Sequence, residues 1–116
     1  MKTILYGIKS CDTCRSARQW LLQNEVAHDF HDIRDDGLNT ELLDRWFDNV
    51  GWETLVNKRS ITWRKIPPVD RESLDRKSAI QLILTYPTVM KRPVCDTGTE
   101  VLIGFDQKAF AAAMKK

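Results

Sequence analysis

Two rhythms of apolar positions run along this chain. Residues 3–6, Thr-Ile-Leu-Tyr, form a short run rich in β-formers that reads as a buried strand closed by Gly7. From Asp12 to Asn24 the spacing turns helical, with Ala17, Trp20 and Leu21 on one face. Residues 26–33 read as a second strand, ended by the turn Asp35-Asp36-Gly37. Asn39 or Thr40 then caps a helix with Leu43, Trp46, Phe47 and Val50 at i, i+3, i+4 and i+7, and Gly51 supplies its stop. Residues 52–71 carry no clear period, and Pro67-Pro68 marks an extended break. Residues 78–86 are helical by Ile80, Ile83 and Leu84, with Pro87 blocking propagation. Pro93-Val94-Cys95 and residues 100–103 flank Asp96-Thr97-Gly98-Thr99, which reads as a hairpin. Asp106 caps a last helix, with Phe105 and Phe110 at N′ and N4 as a hydrophobic staple.

The order is β-α-β, a helical middle, then β-β-α. It predicts an α/β fold with a parallel first strand pair and an antiparallel last pair. A length of 116 residues suits one domain, taken as 1–116 with a helical insertion at about 38–86. The hydrophobic fraction of 42% is enough for a core without a structural metal or disulfide. Lys and Arg number 18 against 16 acidic residues, so the net charge of +2 gives no general argument for direct nucleic-acid or membrane binding. The basic pairs Lys58-Arg59 and Arg64-Lys65 read as solvated faces. The apolar run at the N-terminus is too short for a signal peptide and is soon broken by Lys9, and no stretch is long enough to span a bilayer. Three cysteines cannot all pair within one chain, which argues against a secreted disulfide scaffold and for a cytoplasmic location.

In that setting Cys11-Asp12-Thr13-Cys14 is a candidate redox site. The link Gly7-Ile8-Lys9-Ser10 places Cys11 at a helix N-terminus, where unsatisfied N–H groups and the macrodipole favour negative charge. Such placement lowers a thiol pKa from about 8.5 into a range of roughly 3.5–7.5, and the thiolate is the reactive form. Lys9 and Arg15 add positive charge nearby, and Asp12 opposes them. Cys14 lies within the same helical turn, where Cβ atoms stand roughly 5–6 Å apart. A disulfide needs about 3.5–4.5 Å, a small adjustment at a helix start. Cys11 is thus the expected nucleophile and Cys14 the expected resolving thiol; a small core residue is the other reading of Cys14.

Cys11, Cys14, His28 and His31 also spell C-x2-C-x13-H-x2-H, near a zinc finger. The histidines fall in a predicted strand, where residues three apart point to opposite faces, so no metal site is expected. Cys95 reads as a buried structural thiol, with a third redox partner as the other reading, and Trp20, Trp46, Trp52 and Trp63 as core or interface aromatics.

Residues 6–13, Tyr-Gly-Ile-Lys-Ser-Cys-Asp-Thr, followed by Arg15-Ser16-Ala17-Arg18, resemble the ArsC/Spx family of thioredoxin-fold proteins. Residues 55–59, Leu-Val-Asn-Lys-Arg, residues 91–94, Lys-Arg-Pro-Val, and the closing Gly104-Phe105 extend the likeness over essentially the whole chain. The opening is most similar to the YffB-type branch. The resemblance implies a thioredoxin-like fold with a helical insertion between the second and third strands. It further implies a cis peptide at Arg92-Pro93 beside the nucleophile, with Arg92 directed at Cys11 to steady an anion. The family's arsenate reductases hold arsenate with three arginines; only Arg92 matches here, since Asn57 and about Gly104 occupy the other two places. Those enzymes also carry a histidine where this chain has Gly7, and usually lack a cysteine partner three residues on. The function implied is a glutathione-dependent thiol reductase with no bound cofactor, glutathione as co-substrate, and a thiol or disulfide substrate. Lys9, Arg15 and Arg92, beside Pro93, would receive the carboxylates of glutathione. The alternatives are an Spx-like redox switch binding the RNA polymerase α subunit, and an arsenate reductase.

Overall fold

The computed structural model describes residues 2–116; Met1, where the expected domain begins, lies outside the described residues. The chain divides into two compact units, Met1–Gly37 with Arg92–Lys116, and Leu38–Lys91.

The first unit holds a four-stranded sheet of order β2-β1-β3-β4. β1 (Thr3–Gly7) pairs parallel with β2 (His28–Asp32) and antiparallel with β3 (Val94–Asp96), which pairs antiparallel with β4 (Val101–Ile103). The parallel pair needs a crossover, and α1 (Asp12–Gln23) provides it. Leu5, Ala17, Leu21, Cys95 and Phe110 close the core of this unit. The last helix, α7 (Gln107–Met114), is capped by the Asp106 carboxylate, which accepts the Lys108 N–H at 3.0 Å. Phe105 and Phe110 meet edge to face at 4.9 Å between centroids, as the staple requires. This is a thioredoxin-like α/β fold with a helical segment between its second and third strands.

β2 begins at His28, two residues later than the pattern suggests. The reason is a Schellman turn at the end of α1: the Glu25 N–H donates to the Leu22 carbonyl and the Val26 N–H to the Leu21 carbonyl. Val26 is therefore spent on ending the helix. Glu25 sits in the left-handed position with φ 56°, where glycine is usual, so the sequence carries no stop signal there.

In the second unit, α2 (Thr40–Val50) buries Leu43, Trp46 and Phe47 on its predicted stripe. Asn39 is its cap, accepting the Leu42 N–H, and Gly51 takes φ 82° at its end. α2 packs on α6 (Arg76–Thr85), with Arg76 bridging Asp44 at 3.2 Å and Asp48 at 2.8 Å. α6 starts two residues ahead of the expected Ser78, because Asp75 and Ser78 form a capping box. The stretch without a period folds as three short helices, α3 (Trp52–Leu55), α4 (Ile61–Lys65) and α5 (Pro68–Arg71). Pro67 is extended, as expected, but Pro68 opens α5, since a proline's fixed φ and missing N–H suit the first helical position. Beyond α6 the chain continues as a 3-10 turn, Pro87–Val89.

Candidate active site

β1 ends at Gly7 and the chain turns through Ile8, Lys9 and Ser10 before α1 begins. The Cys11 N–H donates to the Ile8 carbonyl at 3.2 Å, and the Cys11 carbonyl accepts the Arg15 N–H at 3.0 Å. Cys11 is thus the N-cap, extended at φ −89° and ψ 121°, with its thiol at the mouth of the first turn. Cys14 is one turn on, in α1, and fully buried, whereas Cys11 is half-buried; both are free thiols.

The two thiols have opposite electrostatics. Partial burial works to raise the Cys11 pKa, but it is outweighed by the Cys14 N–H, the Cys14 thiol and the Arg92 guanidinium, which hold it below the ordinary thiol value. The thiol does not close a formal cap hydrogen bond, so its stabilisation comes from several donors acting together. Burial first, and then the Cys11 group, push Cys14 up to about 12, with the Ile8 N–H and Arg92 offsetting only part of the rise. Cys11 is therefore the group that ionises first, and Cys14 is held as its protonated neighbour.

Arg92 reaches this site from two residues before β3, through a cis Arg92-Pro93 peptide as the resemblance implied. Pro93 is buried, and its carbonyl accepts the Gly104 N–H at 2.8 Å, tying the strap to the residue after β4. Lys9 and Arg15 lie on the flanks of Cys11, but each already holds a carboxylate. The Lys9 ammonium is 3.3 Å from Asp35, and Arg15 pairs with Asp12 on the exposed first turn of α1.

Asp32 was not singled out by its sequence. It ends β2, is only 5% exposed, and accepts three backbone N–H bonds: Arg34 at 2.8 Å, Lys9 at 3.1 Å and Asp35 at 3.2 Å. Burial alone would raise its pKa, and those donors more than reverse it, so the carboxyl lies below the usual range. Its bond to Lys9 fixes the loop that carries Cys11. A small cavity of about 220 Å³, lined by Ile8, Lys9, Ser10, Asp32, Arg34 and Asp35, opens beside that loop. The signal that could have found Asp32 is local: an aspartate at a strand end accepting the N–H two residues on is an Asx turn.

His28 and His31 are engaged by the backbone of their own surroundings. His28 Nδ1 is 2.8 Å from the Val26 carbonyl, and His31 Nε2 is 2.7 Å from the Gly37 carbonyl, with its ring 4.8 Å from that of Tyr6. Cys95 is fully buried opposite Leu5, and burial, then the neighbouring Asp96 charge, push its thiol up to about 12. In the second unit, Asn57, Lys58 and Arg59 line a cavity of about 590 Å³ with Val56 and Lys91. No described helix is long and apolar enough to cross a membrane.

The model of the ArsC family matches residues 6–113. An uncharacterised protein of Haemophilus influenzae is 41% identical over 109 residues, covering 94% of this chain and 96% of that protein. The global transcriptional regulator Spx of Streptococcus agalactiae serotype V is 32% identical over 114 residues, covering 97% of this chain and 82% of Spx. The solved structure of a YffB protein (PA3664) superposes with a TM-score of 0.93 at 44% identity, covering 97% of this chain and 98% of that one. With the family model spanning nearly the whole sequence, the chain belongs to the ArsC family, on a thiol-reductase-like fold.

Proposed function

We propose that this protein is a glutathione-dependent thiol reductase in which Cys11 is the nucleophile and Cys14 the resolving thiol. The observation that carries the reading is the opposed titration of two thiols in one turn, one half-exposed beside Arg92 and the other buried. The Cys11 thiolate attacks the glutathionyl sulfur of a mixed disulfide. The substrate thiolate departs, is protonated, and leaves a Cys11–glutathione disulfide. That step removes the Cys11 charge, which adds to burial in raising the Cys14 thiol. Cys14 then loses its proton and attacks the Cys11 sulfur, expelling glutathione thiolate and forming the Cys11–Cys14 disulfide. Two further glutathione molecules return the dithiol and leave as glutathione disulfide, so electrons and protons balance.

Arg92 steadies the thiolate and is the first anchor for a substrate carboxylate. Lys9 and Arg15 are further anchors, which exchange Asp35 and Asp12 for the carboxylates of glutathione. Such exposed ion pairs are worth only about 0–1 kcal/mol, so the exchange is easy. Reduction of a glutathione mixed disulfide, coupled to NADPH through glutathione reductase, tests the reading. Turnover that depends on Cys11 is expected, and no turnover above a Cys11→Ser control sinks it.

A second reading rests on the Spx relative, a transcriptional regulator by name, at 32% identity. There the same thiol pair serves as a switch on a polymerase-bound protein. Capture of the RNA polymerase α subunit, lost in Cys14→Ser, with no turnover, is the result that selects it.

A further inference from the structure

Four glycines, at 37, 51, 98 and 104, have positive φ and so are explained by their backbone. Gly7 is not among them. It is the last residue of β1, paired in register with Asp32, and its carbonyl accepts the Ile33 N–H at 2.9 Å. Any L-residue can adopt such extended backbone. What a side chain cannot do there is fit: a Cβ on Gly7 would lie 2.6 Å from Cys14 Sγ and 3.2 Å from Cys14 Cβ. The atom in the way is the sulfur of the second thiol, which is fully buried on a short side chain and has no flexible end to swing aside.

We propose that Gly7 is the positioning residue of the thiol pair: its missing side chain is the seat of the Cys14 sulfur, from which Cys14 reaches Cys11. The inference rests on the reading of Cys14 as resolving thiol. The cross-link forms when Cys14 Sγ meets Cys11 Sγ, with Cys11 held as the N-cap of α1 and Cys14 in its first turn. Closure therefore turns on the Cys14 rotamer, and the space over Gly7 sets that rotamer. A methyl group at position 7 drives the sulfur from its seat or lifts the first turn of α1 off β1. Either movement changes the reach of Cys14 Sγ to Cys11 Sγ, and neither puts the new methyl group against Cys11 or Arg92. Gly7 thus acts through Cys14 and has no contact with substrate to make.

The test compares the full chain with Gly7→Ala, Cys14→Ala and the double variant. In Gly7→Ala the equilibrium constant for Cys11–Cys14 disulfide formation against the glutathione couple falls by about tenfold or more, a rise of about 30 mV in the two-electron potential. The melting temperature also falls, and most of that fall is absent when the same change is made in Cys14→Ala, which has no sulfur to displace. An unchanged disulfide equilibrium overturns the proposal, as does a loss of melting temperature that is the same with and without Cys14. If Gly7→Ala does not fold, folding of the double variant supports the steric coupling and its failure to fold overturns it. Neither readout needs turnover, so a protein that shows the coupling but reduces no mixed disulfide faults the reductase reading alone.

Discussion

Replacing Arg92 by methionine keeps the length of the side chain and removes its charge. Arg92 lowers the Cys11 pKa through both a hydrogen bond and its charge. Two unit charges at roughly 4 Å interact by about 1 kcal/mol in water and about 4 kcal/mol near a protein surface of effective dielectric 20. Cys11 is half-buried, so the lower part of that range applies. With about 1.4 kcal/mol per pKa unit, the expected rise is about one unit. Thiolate absorbance against pH reads it directly, because Cys14 and Cys95 are both held up at about 12 and only Cys11 is held below the ordinary thiol value. Well below the midpoint the thiolate fraction of Arg92→Met falls about tenfold, while the more basic sulfur is intrinsically about threefold more nucleophilic, so alkylation slows about threefold. Well above the midpoint the order reverses and the variant alkylates faster. Arg92→Lys, which keeps the charge, recovers most of the shift. An unmoved midpoint, or an absorbance step of two thiolates in the wild type, refutes this account of the site.

Asp32→Asn leaves one of three buried N–H donors facing an amide and costs about 1–3 kcal/mol in urea unfolding at neutral pH. The folded-state pKa of Asp32 is below 3.8, so the contribution of the ion is complete above that value and is lost as pH falls through the folded pKa. The gap between wild type and variant therefore narrows in acid, and a gap independent of pH defeats the assignment. Glu25→Gly relieves a left-handed residue at the end of α1 and stabilises the fold by about 0.5–1 kcal/mol; a variant that melts no higher than wild type counts against the Schellman turn. Cys95→Ser buries a hydroxyl among Leu5, Leu21 and Phe110 and costs about 1–3 kcal/mol. It leaves the number of thiols lost on mild oxidation at two, counted by thiol titration, and a count of one would bring Cys95 into the redox chemistry.

What the sequence disclosed and what it hid differ in their physical kind. α2 was legible because a long amphipathic helix repeats its signal over three turns, and the strand-loop-helix around Cys11 because its boundary residues change type together. The helices of the middle segment were not, since four or five residues are too few to establish a period. The end of α1 was hidden because Glu25 fills a glycine position. At the site, Cys11 and Cys14 carry groups whose chemistry is visible by residue type and spacing, and Arg92 came into view through the family resemblance. Asp32 and Gly7 are not visible in that way: one acts by accepting main-chain N–H groups, the other by leaving a space, and both depend on which segments meet.

The anchoring of the Cys11 loop by Asp32 has a consequence for how this site can change. All three donors to the carboxylate belong to the main chain, at Lys9, Arg34 and Asp35. The identities of those side chains are therefore not part of the anchor. Positions 9, 34 and 35 can be exchanged, and with them the charge and shape of the rim around the small cavity, while the nucleophile stays in register with its helix. The carboxylate that holds the loop and the side chains at positions 9, 34 and 35 are thus independent, so the charge of the rim can change by surface substitution while the anchor stays.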